Sequence, residues 1–140
     1  MTGMHRLQPL LDPASLAIVG AKLGMHVTCA CPEGYDPDPD LVAGAQADAV
    51  ANGGAVTVMR DPVDAVRDAR AIYTATWVSM GDEEREAARV RALGAYKVDQ
   101  SLMDRAAPDV IAMHPLPAHH DVEIAYDVLH GPRSAVWQEG

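Results

Sequence analysis

Two short stretches of the sequence carry residue types from which a reaction site can be built. His114-Pro115-Leu116-Pro117 sets two prolines within three residues. A pyrrolidine ring fixes its own φ and restricts the residue before it, so this backbone is stiff and its carbonyls can be aimed at one point. Ser79-Met80-Gly81 follows an apolar run that ends at Trp77 and offers a hydroxyl and backbone groups at that exit. Each stretch also has a plainer reading: a rigid strand exit that meets no ligand, and a tight turn in which Ser79 caps the following helix. His114, His119 and His120 fall within seven residues and raise metal or acid–base chemistry. Against a metal, the side chains of adjacent residues diverge, no carboxylate partner is fixed by spacing, and Asp121 and Glu123 read as first-turn acids of a short helix. Cys29 and Cys31, the two cysteines, sit at i and i+2 of a predicted strand. They share a face that His26 does not, which is too few ligands for a metal and suits two small apolar residues on a buried strand.

The elements that must position these groups alternate apolar runs with helical patterns. Strands are predicted at His26–Cys31, Ala55–Arg60, Ala71–Trp77, Val110–His114 and Ser134–Gln138. Helices are predicted at Leu16–Leu23, closed by Gly24 in a left-handed cap, and at Leu41–Val50, stopped by Asn52-Gly53-Gly54. Further helices run from Asp61-Pro62 to about Arg67, from Asp82 to Leu93 and from Asp99 to Ala106. This order implies an α/β fold, a Rossmann-like parallel sheet flanked by helices. Residues 1–13 are read as an irregular N-terminal segment and 14–140 as one domain. The first, central strand would have to come from Arg6–Leu11, where Pro9 lacks a backbone donor, so poor pairing is expected there.

Composition narrows the classes. The chain has 140 residues, 49% apolar with 4% aromatic and no Phe. That suits one core of small aliphatic side chains. A formal charge of −9, from 11 basic and 20 acidic residues, opposes binding to nucleic acid or anionic membranes. With no apolar run of about 18 residues and no signal-like start, a cytoplasmic protein is expected.

Ala21-Lys22-Leu23-Gly24-Met25, Pro32-Glu33-Gly34-Tyr35, Trp77-Val78-Ser79-Met80-Gly81, Met113-His114-Pro115-Leu116-Pro117-Ala118-His119 and Gly131-Pro132-Arg133-Ser134 occur in this order over residues 14 to 140. Together they resemble the ornithine-binding domain of the ornithine carbamoyltransferases, within the aspartate/ornithine carbamoyltransferase superfamily. The resemblance implies that Ser79, Met80 and Gly81 bind the α-amino-acid end of an ornithine-like acceptor. It also implies that His114, Pro115 and Leu116 form the reacting centre. There the carbonyls of Pro115 and Leu116 receive the amine of carbamoyl phosphate and the attacking amine, next to a Leu116–Pro117 peptide that is typically cis. No cofactor and no metal are implied. Family members work as trimers with shared sites, in arginine biosynthesis.

The sequence departs from the family pattern at several points. Ala75 stands where the ornithine enzymes carry an Asp that pairs with the substrate ammonium, and Pro115 stands where they carry Cys, as in the aspartate enzymes. The family's Asn-containing turn is not matched near Asp12-Pro13-Ala14-Ser15, and its carbamoyl-phosphate domain and C-terminal helix are not matched at all. The expectation is a domain truncated at both ends that binds ornithine or an analogue and acts with a homo- or hetero-oligomeric partner carrying the carbamoyl-phosphate site. A non-catalytic binding or regulatory module is the alternative, and an enzyme using the His-rich loop for other chemistry is a third.

Overall fold

A computed structural model of the chain describes residues 14–77 and 83–139. The predicted segment Arg6–Leu11 lies outside them. The chain divides into two compact units, Met1–Asp61 and Pro62–Gly140.

In the first unit, helix α1 (14–22) leads into strand β1 (His26–Ala30), helix α2 (Pro39–Asn52) and strand β2 (Ala55–Met59). The strands pair in parallel from His26 opposite Ala55 to Ala30 opposite Met59. Alanines make this core: Ala17 and Ala21 at helical spacing on α1 and Ala45 and Ala49 on α2 pack with Val56, and Ala14, one turn earlier on α1, is buried as well. Side chains this small let helix backbones lie close to the strands, which is why the chain packs without Phe.

The helix ends follow the local chemistry of the sequence. Gly24 adopts φ +70. The amide of Met25 reaches back to the Gly20 carbonyl at 2.8 Å and that of Gly24 to Ala21 at 3.1 Å, a Schellman closure of α1. A Cβ at Gly24 would lie 2.4 Å from the Asn52 carbonyl oxygen, so glycine is required by space as well as by φ. Asp38 caps α2, its carboxylate accepting from the amides of Asp40 and Leu41. The helix runs two residues beyond the predicted end at each side, to Pro39 and Asn52.

In the second unit, the elements are α3 (Pro62–Ala65), β3 (Ala71–Tyr73), α4 (Glu83–Leu93), a 3-10 turn (Gly94–Tyr96), α5 (Gln100–Met103), β4 (Ile111–Met113), α6 (Tyr126–Leu129) and α7 (Val136–Glu139). Strands β3 and β4 are parallel, with Ala71 opposite Ile111 and Tyr73 opposite Met113. The expected α/β class with parallel strands is therefore present, hydrogen-bonded as a pair within each unit. The core gathers Ile72, Val98, Leu102, Met103, Val110, Ala112, Ile124, Val128 and Val136 around β3 and β4.

The predicted strand Ser134–Gln138 is corrected. Ser134 makes a single parallel bridge to Ala112, supported by Ala112 N–H to Arg133 and Ala135 N–H to Ala112. The Ser134 hydroxyl then accepts from the Val136 amide, and the chain turns into α7. A hydroxyl that competes for the next free amide favours a helix start over continued pairing. This buries Val136 and leaves Trp137 57% exposed. Predicted α3 also ends early, before Asp68 at φ 61.

Arg60, just beyond β2, clasps the loop that follows β1. Its guanidinium donates to the Cys31 and Pro32 carbonyls and to Asp36 Oδ1 at 2.6 Å. The hydrogen bond from Arg60 holds the Asp36 carboxyl below the usual carboxylate range. A depressed folded value means that the clasp is intact above the ordinary carboxylate pKa and is lost as pH falls through the lower, folded one. Arg60→Ala is expected to return Asp36 to the ordinary range, read by an NMR titration of its side-chain carbonyl; an unchanged titration would remove Arg60 as the cause.

Candidate functional site

Parallel pairing of β3 and β4 puts both strand exits on one rim. From β3 the chain continues through residues 74–77, and the Thr74 amide still donates to the Met113 carbonyl at 3.1 Å. The Thr76 hydroxyl then donates to the Pro117 carbonyl at 2.7 Å, tying the first exit to the second. Trp77 turns inward and is 8% exposed, and its carbonyl accepts from Arg89 of α4 at 3.1 Å. Ser79, Met80 and Gly81 lie outside the described residues.

From β4 the chain enters His114-Pro115-Leu116-Pro117. His114 is buried, Pro115 and Pro117 are exposed, and Leu116 is half-buried against the core. The Leu116–Pro117 peptide is cis, as the resemblance implied, and Leu116 itself sits at φ 54. That is the left-handed region, which a branched residue occupies only when its surroundings hold it there.

Those surroundings are polar and buried. The Leu116 amide donates to His114 Nδ1 at 2.9 Å. Since Nδ1 receives a proton donor, it holds the lone pair, and the ring's own proton is on Nε2. Nε2 then donates to Glu123 Oε1 at 3.0 Å. The same oxygen accepts from the His119 amide at 2.7 Å. Glu123 is wholly enclosed, and among the described residues its Oε2 meets no partner. Among these residues, too, no donor meets the carbonyl of Pro115 or of Leu116.

Glu123 is therefore not the first-turn acid that the sequence suggested. Asp121 at φ 66 makes a tight turn, its carboxylate accepting from the Tyr126 amide, and α6 begins only at Tyr126. Between the two, residues 123–125 lie beside Val98, with Val98 N–H to the Glu123 carbonyl at 3.0 Å and Ala125 N–H to Val98 at 2.9 Å. This short ladder draws the Glu123 side chain under the loop. Its signal in the sequence was the apolar setting Val122-Glu123-Ile124-Ala125, in which a carboxylate must either be wet or be paired.

His119 and His120 are exposed on the loop and His114 faces inward; the His114 and His119 rings both approach Glu123 Oε1, at 3.0 Å and 3.9 Å, but His120 does not join them. His120 instead lies edge-on to Tyr126, and a row of rings continues through His130 to Trp137. Among the described residues no group of three or more His, Cys, Asp or Glu side chains is arranged to hold a metal ion. The Cys29 and Cys31 thiols are half-buried, and desolvation raises both above the ordinary thiol value, which opposes thiolate chemistry. No helix of the described residues is long and apolar enough to cross a membrane.

Residues 13–140 match the family model of the aspartate/ornithine carbamoyltransferase Asp/Orn binding domain. The chain belongs to that family. It is 49% identical over 125 residues to the ornithine carbamoyltransferase of Clavibacter michiganensis subsp. michiganensis, covering 89% of this chain and 41% of that protein. With the ornithine carbamoyltransferase of Symbiobacterium thermophilum the identity is 51%, again over 125 residues and 40% of the relative. The crystal structure of ornithine carbamoyltransferase from Pyrococcus furiosus superposes with a TM-score of 0.86 at 42% identity, over 90% of this chain and 40% of that one. The chain thus spans about two-fifths of the length of these relatives.

The tie between the two exits can be tested directly. Thr76→Val keeps the shape but removes the donor to Pro117. It is expected to cost no more than about 1 kcal/mol of stability, while amide exchange at Leu116 and His119 accelerates selectively. Unchanged exchange at both positions would show that the bond does not hold the loop.

Proposed function

We propose that this domain binds the acceptor amino acid, ornithine or a close analogue, for carbamoyl transfer from carbamoyl phosphate. The observation that carries this reading is the convergence of the β3 and β4 exits, fixed by the bond from Thr76 to Pro117. It leaves the Pro115 and Leu116 carbonyls at the rim where ligands bind in parallel α/β sheets. Carbonyl oxygens at that point accept from an amine and orient its lone pair for attack, a positioning effect with a large rate consequence. Ser79, Met80 and Gly81 are proposed to contact the α-amino-acid end of the acceptor.

The charge that develops on phosphate and on the tetrahedral centre requires cationic and amide donors. These belong to the carbamoyl-phosphate half of the family, so the proposed reaction requires that half beside this domain, in an oligomer of the kind the family forms. Ala75 favours a second reading, a non-catalytic amino-acid-binding or regulatory module. It occupies the position of the Asp that pairs with the acceptor's ammonium group in the ornithine enzymes, and alanine offers no such partner.

Citrulline formation from carbamoyl phosphate and ornithine separates the two readings. Under the first, product appears when the chain is mixed with a separately expressed carbamoyl-phosphate domain of a relative and not with either part alone. Under the second, ornithine binds in calorimetry and no mixture is active. Ala75→Asp is expected to tighten ornithine binding roughly tenfold, the scale of one charge-assisted hydrogen bond. Absence of heat from both the parent chain and this variant would refute acceptor binding.

A further inference from the structure

We propose that Glu123 is a positioning residue that sets the tautomer of His114 and, through it, the direction of the Pro115 and Leu116 carbonyls. The proposal rests on the reading that these carbonyls receive the reactants.

The geometry that leads to it is a clamp made by one oxygen. Glu123 Oε1 accepts from His114 Nε2 at 3.0 Å and from the His119 amide at 2.7 Å. These two residues bound the segment His114–His119, so a single carboxylate oxygen holds both of its ends. Within the segment, the Leu116 amide is held by His114 Nδ1, at 2.9 Å.

A neutral imidazole exists in two tautomers, and only one of them fits this loop. With the proton on Nδ1, the ring would face the Leu116 N–H donor to donor, and Nε2 would present a lone pair to a carboxylate oxygen. Both contacts would become repulsive. With the proton on Nε2, both are hydrogen bonds. A carboxylate at Nε2 selects the second form, because it accepts and does not donate.

Leu116 at φ 54 depends on that selection, since a left-handed leucine needs an external hold. The buried site is consistent with a local demand for the acid. Glu123 is 0% exposed, a position where a carboxylate is costly, and one of its oxygens is unpartnered among the described residues. Its value to the fold is concentrated in Oε1.

Long-range ¹H–¹⁵N correlation spectra of the ¹⁵N-labelled 140-residue chain test the proposal without substrate. The parent protein is expected to show His114 with a protonated Nε2 and a bare Nδ1, together with a slowly exchanging Leu116 amide. Glu123→Gln retains an oxygen that accepts from both donors, so it should preserve this signature. Glu123→Leu, similar in size but without an acceptor, should give a tautomer mixture and at least tenfold faster exchange at Leu116.

A His114 ring protonated on Nδ1 in the parent chain overturns the proposal, and that reading requires no variant to fold. An unmixed Nε2–H tautomer in Glu123→Leu overturns it as well. Addition of ornithine distinguishes the clamp from the function on which it rests. Shifts of the Leu116 amide in the parent and in Glu123→Gln support both. If the tautomer behaves as described but ornithine perturbs nothing between Pro115 and Pro117, the clamp stands and acceptor binding at this rim is wrong.

Discussion

Parallel pairing leaves no freedom over where two adjacent strands end. Because Tyr73 lies opposite Met113, the residues that follow each must emerge on the same side and begin within a few ångströms of one another. The meeting of the two exits follows from that constraint. Thr76 reaches Pro117 because the exits run side by side, and Trp77 turns into the core as a doorpost beside them. An antiparallel arrangement of the same residues would have sent the two loops to opposite ends.

The rim is rigid for reasons that differ above and below it. Above, the prolines flanking Leu116 remove backbone freedom and backbone donors. Below, a histidine and a glutamate replace the apolar filling that the rest of the unit uses, and their bonds are directional where packing is not. The contrast with the first unit is instructive, since its alanine faces allow helix and strand to approach closely but specify no orientation for any polar group. Two solutions to close packing thus serve two needs, compactness in one unit and aim in the other.

Much of this was legible in the residues because the governing interactions are local. Gly24 announces a left-handed cap and the two prolines a stiff strand exit, each through chemistry that spans a few positions. The five motifs in order were enough to recognise the family, whose model matches residues 13–140. What was not legible depended on partners distant in sequence. Glu123 looks like a helix-start acid until Val98 is seen to hold its backbone, and Ser134–Gln138 looks like a strand until its hydroxyl claims the next amide. Ser79, Met80 and Gly81, which the resemblance assigned to the acceptor, lie outside the described residues.

The placement of the indoles has a practical consequence. Trp77 is enclosed where the first exit leaves β3, whereas Trp137 stands open on α7 at the end of the ring row that begins at His120. With two tryptophans and no others in the chain, the protein contains one optical reporter at the rim and one at the surface. Silencing the outer one leaves indole emission, excited at the red edge where the four tyrosines do not absorb, that originates solely at the first strand exit, so events there can be followed by light with no label attached.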